Sequence, residues 1–317
     1  MRTEGLIDLH HHVIPTALSE TLADRVGSGG TTGLQLPAWS RGDMISFLDD
    51  NRIGVAVVSI AFSVNRGGTA RALALAQTCN DFIAELTKDR PDRFGGFGVL
   101  PLPSVDEALQ ELDRIYDELH LDGVILSTNY DGIYLGDPRF DRVFEALEQR
   151  AAVVFVHPTE SPDPVAHTLK VPDFLIDFVA DTTRAVTRLH YSNTFARTPS
   201  VRYVFSHAGG TIPYIVQRFD RLDSLPVIPD ADERGTAREQ FTRLYWDTAL
   251  AFHDPVLNLL RDVVGLDRVV FGSDYPYAGG LSAAAASAIQ HSTALSAPER
   301  DGIGWANALE LFPRLAS

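Results

Sequence analysis

The 317 residues carry 42 acidic against 27 basic side chains, a formal net charge of −15, and are 45% hydrophobic and 22% charged. That composition excludes a disordered or collagen-like chain, and the acidic balance argues against nucleic-acid and anionic-membrane partners, which need a basic face. A single cysteine, Cys79, rules out an intramolecular disulfide and a cysteine-based metal site; with no apolar run near the roughly 20 residues of a membrane span, the expectation is a cytoplasmic enzyme.

Short runs rich in Val, Ile, Leu and Phe alternate with longer amphipathic stretches. Strands are predicted at Gly5–His10, Val55–Ile60, Phe94–Leu100, Gly123–Ser127, Val153–His157, Tyr203–His207, Leu244–Thr248 and Val269–Ser273. They read as parallel strands covered on both faces. Helical spacing places Ala108, Leu109, Leu112, Ile115 and Leu119 on one stripe of Val105–Leu119. Asp141–Arg150, Ala180–Ala196, Asp254–Val264 and the Ala-rich Leu281–Ala297 are also helical, and Cys79 falls on the core stripe of a further helix. Three insertions, Pro15–Trp39, Thr159–Pro172 and Pro226–Arg238, are expected to roof the C-terminal face. The alternation predicts an α/β fold, a single (β/α)8 TIM barrel over residues 1–317. An open doubly wound sheet would follow its first strand with a Gly-rich turn; here the chain continues His10-His11-His12-Val13-Ile14-Pro15.

Functional groups of such barrels gather at the C-terminal strand ends. Strand one ends in Asp8-Leu9-His10-His11-His12, strand five in His157-Pro158, strand six in Ser206-His207-Ala208-Gly209-Gly210 and strand eight in Gly272-Ser273-Asp274-Tyr275-Pro276. A strand alternates its side chains, so His10 and His12 share a face and His11 takes the other. Two inward imidazoles, one further histidine (His157 or His207) and Asp274 make a three-nitrogen, one-oxygen set suited to zinc or manganese. Asp247, at the end of strand seven, is placed to hydrogen-bond a ligand histidine. His120, His167, His190, His253 and His291 read as solvated or packing residues, although His167 lies on an insertion within reach of the site.

These motifs resemble the amidohydrolase superfamily: His-x-His, the strand-five His, His-x-Gly-Gly and Gly-x-Asp-Tyr-Pro. The likeness is closest to the metal-dependent decarboxylase branch, which includes aminocarboxymuconate-semialdehyde, γ-resorcylate and 6-methylsalicylate decarboxylases. It extends through Phe94–Pro103, Asp122–Pro138 and Asn307–Phe312. The resemblance implies that His10, His12, His157 and Asp274 hold one divalent ion, zinc first and manganese as the alternative. Asp274 and His207 would be the catalytic pair, either one donating the proton. Strand four ends in Ser127 rather than the lysine of binuclear members, so one metal is implied. The arginines that hold a second carboxylate in the semialdehyde enzymes fall near Met44 and Pro226, which favours a monocarboxylate. The implied reaction is nonoxidative decarboxylation of a small ortho-hydroxybenzoate with release of CO2, by a homodimer. Phe62, Trp39, Tyr275 and Arg184 are the candidate substrate contacts. The same ligands also allow a mononuclear hydrolase of an amide or lactone, or a hydratase, using activated water.

Overall fold

The computed structural model describes residues 5–27, 36–65, 67–162, 169–223, 225 and 234–316. Eight parallel strands form its centre: β1 (Leu6–His12), β2 (Ile53–Ser59), β3 (Phe94–Val99), β4 (Gly123–Ser127), β5 (Val153–His157), β6 (Arg202–Phe205), β7 (Tyr245–Asp247) and β8 (Val269–Val270). Each strand pairs with the next in chain order. The ring closes through the segment after β8. Phe271 O accepts from Leu9 N–H at 3.0 Å, His10 O from Asp274 N–H at 2.8 Å and Tyr275 O from His12 N–H at 2.7 Å. This is the (β/α)8 barrel expected from the alternation of elements. No described helix is long and apolar enough to cross a membrane.

Side-chain size shapes the packing. β3 reads Phe-Gly-Gly-Phe-Gly-Val because helices lie directly on it. A Cβ at Gly96 would stand 2.4 Å from Ile83, and one at Gly98 would stand 2.5 Å from Ile115. These contacts seat helices Thr69–Asp89 and Val105–Asp117 against the strand. Inside the barrel, Phe97 stacks on Phe155 with ring centroids 5.5 Å apart, and Phe312 closes the floor at 5.8 Å from Phe97. That apolar plug keeps water out from below, so charges placed above it interact strongly. Cys79 is fully buried on its helix, and burial pushes its thiol pKa up to about 12.

Several boundaries differ from the sequence reading. The predicted helix from Ala180 begins at Asp173 and ends at Tyr191. The predicted strand Val269–Ser273 shortens to Val269–Val270, because the chain turns at Asp274, where φ is 54°. Gly280–His291 is one helix, and a second starts at Ala297 behind a Ser296–Glu299 capping box. Thr159 and Glu160 of the second insertion border a cavity at the C-terminal face. Arg234, of the third, stacks instead on Tyr191 at 4.9 Å, at the end of the helix remote from that face. The physical reason is connectivity: this segment joins a helix to β7, so it returns the chain to a strand start. Residues 28–35, 163–168 (His167 included) and 226–233 of the insertions lie outside the described residues.

Candidate metal centre and cavity

His10, His12 and His157 stand at the ends of β1 and β5, and Asp274 follows β8. Each offers one donor atom, and these atoms all lie within 4.8 Å of one another. The alternation of β1 turns His10 and His12 inward and His11 outward, where its Nδ1 pairs with Asp8 Oδ2 at 2.9 Å and its ring stacks on Tyr275 at 4.9 Å.

The outer nitrogens are all engaged. His10 Nδ1 meets Asp247 Oδ2 at 2.6 Å, His12 Nδ1 meets Ser59 Oγ at 2.9 Å and His157 Nδ1 meets Pro158 O at 2.7 Å. Such partners fix the ring orientation and leave Nε2 free for the centre. His10 Nε2 and His12 Nε2 are buried without a hydrogen-bond partner. Asp274 Oδ1 lies 3.3 Å from His10 Nε2 and 3.5 Å from His12 Nε2. Its other oxygen faces His207 Nε2 at 3.7 Å. The carboxylate therefore presents one oxygen to the ligand cluster and one to His207.

The electrostatics call for positive charge in the middle. Burial disfavours a charged His10, yet the Asp247 and Asp274 carboxylates outweigh it and raise its pKa to about 10. Burial lowers His12 to about 4 and, together with the neighbouring imidazoles, holds His157 well below the usual range. Burial opposes ionisation of Asp274, but His10, His12 and His207 hold its pKa well below the usual carboxylate range. Neutral imidazoles and ionised carboxylates are the ligand forms metals bind. The two buried carboxylates, Asp247 and Asp274, match the charge of one divalent cation. The donor set, its unpartnered inner nitrogens and its charge thus fit such an ion.

The backbone here is shaped for the site. Asp274 and His207 both take left-handed conformations, with φ of 54° and 52°. Non-glycine residues there carry strain that a functional site can use. Asp247 Oδ1 steadies His207 by accepting its N–H at 2.8 Å, and it accepts the Ala249 N–H at 3.0 Å. Asp8 ties β1 to the closing segment through the Ser273 N–H at 2.9 Å and Ser273 Oγ at 2.5 Å. Gly209, at φ 71°, is required because a Cβ would stand 2.0 Å from the Trp246 ring.

A cavity of about 590 Å³ opens over Asp274, His157 and His207. Phe62 lines it, as do Phe178 and Tyr277, neither of which the sequence singled out. Phe178 stands edge-on to His157 at 6.4 Å, and the Tyr277 ring sits 5.6 Å from both His12 and Phe62. The Tyr277 hydroxyl is buried without a partner, and burial beside Asp274 raises its pKa. The other three candidate contacts lie elsewhere. Trp39 packs on Phe82 at 5.8 Å, and Tyr275 is stacked between Phe47, at 4.3 Å, and His11. Arg184 donates to Ser161 Oγ at 3.1 Å and lies 3.9 Å from Asp181 Oδ1. None of these three borders the cavity. Asp181 accepts from Asn129 at 3.0 Å, from Tyr134 at 2.5 Å and from Thr128, tying helix Asp173–Tyr191 to the rim beside β5.

A closed parallel barrel with this rim of donors defines a metal-binding enzyme scaffold of the amidohydrolase type. The chain belongs to that family: the family model described as Amidohydrolase matches residues 7–314. The chain is 32% identical over 330 residues to the 6-methylsalicylic acid decarboxylase of Aspergillus aculeatus, covering 98% of this chain and 96% of that protein. A crystal structure described as an amidohydrolase II superposes with a TM-score of 0.90 at 27% identity, covering 99% of this chain and 100% of the other. The dihydroxybenzoic acid decarboxylase of Polaromonas sp. JS666, solved with manganese and 2-nitroresorcinol, has a TM-score of 0.83 at 23% identity over 98% and 97% of the chains, a likeness of fold.

Proposed function

We propose that this chain is a nonoxidative, metal-dependent decarboxylase of a small ortho-hydroxybenzoate. The observation that carries the reading is the cavity beside Asp274. Among the described residues its border holds aromatic and aliphatic side chains and no lysine or arginine. An aromatic ring fits such a wall, and a second carboxylate would find no cationic partner there. An amide- or lactone-hydrolysing site would be expected to show more polar wall groups to orient the scissile carbonyl.

A divalent ion held by His10, His12, His157 and Asp274 would supply charge neutralisation and an anchor for the acid's carboxylate and ortho oxygen. Three imidazoles with one carboxylate favour zinc, with manganese the alternative. Phe62, Phe178 and Tyr277 hold the ring and exclude water. Asp274, ionised at rest, receives through its Oδ2 a proton that His207 takes up from solvent, and relays it to the ring carbon that bears the carboxylate. A C–H bond forms there, the C–C bond breaks, CO2 leaves and the ring regains its aromatic electrons. His207, bordering the cavity, regains its proton from solvent, which supplies the one proton consumed in each turnover. The homodimer expected from the resemblance is part of this proposal and is tested by light scattering.

The test is CO2 release from 2-hydroxybenzoate, 6-methyl-2-hydroxybenzoate and 2,6-dihydroxybenzoate, with zinc-loaded and manganese-loaded protein assayed separately. Release from at least one acid, abolished in Asp274→Asn, is expected. No release from any of them with one metal bound per chain would overturn the reading and turn attention to activated-water chemistry.

A further inference from the structure

The cavity continues outward beyond the space one ring needs. A single-ring hydroxybenzoate at protein packing density takes on the order of 150 Å³, against a cavity of about 590 Å³. Its inner part is bounded by Asp274, Phe62 and Phe178. Its outer part is bounded by Phe174, Leu175, Leu250 and Leu281, contributed by the start of helix Asp173–Tyr191 and by the segments after β7 and β8. These four side chains are strongly apolar, yet Leu175 is 58% and Leu281 51% exposed. Apolar groups converging on one mouth mark a binding surface. Among the described residues, the border holds no acidic side chain besides Asp274 and Glu160, and no lysine or arginine.

We infer that the preferred substrates carry a neutral apolar substituent, an alkyl chain of several carbons, which runs from the ring out along Phe174, Leu175, Leu250 and Leu281. This rests on the decarboxylase reading above and names the substrate class for that site. The carboxylate end is anchored at the ligand cluster, so the part of the ring remote from it points toward the mouth. Continuity of the apolar wall from the reacting end to the surface selects this occupant. A charged tail is disfavoured, because Glu160 repels an anion and the leucines offer no hydrogen bond. Each methylene that enters the wall strengthens binding about fourfold while it remains covered.

The experiment compares kcat/KM for 4-alkyl-2-hydroxybenzoates and 6-alkyl-2-hydroxybenzoates with methyl, propyl and pentyl chains on the metal-loaded protein. Calorimetric titration with phenol and 3-pentylphenol runs beside it. The expected result is a rise of at least about tenfold from methyl to pentyl in the 4-alkyl series, whose chain lies para to the carboxylate, with no such rise in the 6-alkyl series, whose chain lies beside it. The gain is lost in the 4-substituted acid whose chain ends in a carboxylate. Leu281→Gln is expected to reduce the pentyl-to-methyl ratio. Turnover of the methyl compound with no gain for pentyl overturns the inference and leaves the decarboxylase reading intact. Absence of CO2 from every acid overturns that reading; tighter binding of 3-pentylphenol than of phenol would then still support the apolar channel, and equal binding would overturn it too. A pentyl chain that is excluded, in a dimer that Leu281→Gln dissociates, would identify the rim as a contact between two copies and also overturn the inference.

Discussion

Replacing Asp247 by asparagine tests whether the metal centre depends on a carboxylate that does not itself ligate. Asp247 accepts three donors: His10 Nδ1 at 2.6 Å, the His207 N–H at 2.8 Å and the Ala249 N–H at 3.0 Å. Asparagine keeps the shape but has only one accepting oxygen. With that oxygen toward the two backbone N–H groups, the amide NH2 faces His10 Nδ1, which must then accept, leaving the proton on Nε2 where the metal binds. With the oxygen toward His10, the NH2 points at two N–H donors. Either arrangement forfeits a buried charge-assisted hydrogen bond worth about 1.5–3 kcal/mol. It also removes one of the two carboxylates that balance the cation. The expected effect is a metal affinity lower by roughly ten- to a hundredfold. Competition with a chromophoric chelator at pH 7.5 measures it, with circular dichroism confirming the fold. An affinity within about twofold of the wild type, in a folded variant, would refute the argument that Asp247 sets the His10 tautomer.

Other consequences follow from the same geometry. Ser59→Ala removes the partner of His12 Nδ1, and a neutral hydrogen bond of about 1 kcal/mol predicts metal affinity lower by roughly fivefold in the chelator assay. Phe62→Ala opens the cavity wall and should raise KM for the ortho-hydroxybenzoate severalfold, whereas Tyr275→Ala, outside the cavity, should act on thermal stability instead. Gly209→Ala forces a Cβ into the Trp246 ring at a left-handed position; a loss of about 2–4 kcal/mol is expected in urea unfolding. Cys79, buried with its pKa pushed up to about 12, should resist a thiol reagent at pH 8 in the native protein and react once urea unfolds it.

Much of the site was legible because its signals are local. Eight apolar runs in order, each passing into a helical stretch, leave few topologies open to a parallel barrel, and such a barrel gathers its strand ends on one rim. Alternation along β1 separates His10 and His12 from His11, and the structure places them so. Ser59 left a faint trace, a lone hydroxyl ending the run Val-Ala-Val-Val-Ser. Tyr277 left less, since after Asp274 the chain is no longer a strand and alternation stops predicting direction. The left-handed turn at Asp274 sends Tyr275 outward onto Phe47 and brings Tyr277 to the cavity.

The sequence by itself determined the barrel, the order of its strands and the rim that gathers His10, His12, His157, His207 and Asp274, because periodicity and chain order suffice for these. Periodicity and chain order left His157 and His207 as alternatives for the third imidazole; the family resemblance favoured His157, and the tertiary structure shows why. His157 joins the ligand cluster, while His207, at φ 52°, faces the other oxygen of Asp274. Tertiary structure alone decided which aromatic rings meet the cavity and how Asp247, 237 positions from His10, comes to hold it. These outcomes rest on left-handed turns at non-glycine residues and on contacts closed by the whole ring, neither of which leaves a local pattern in the chain.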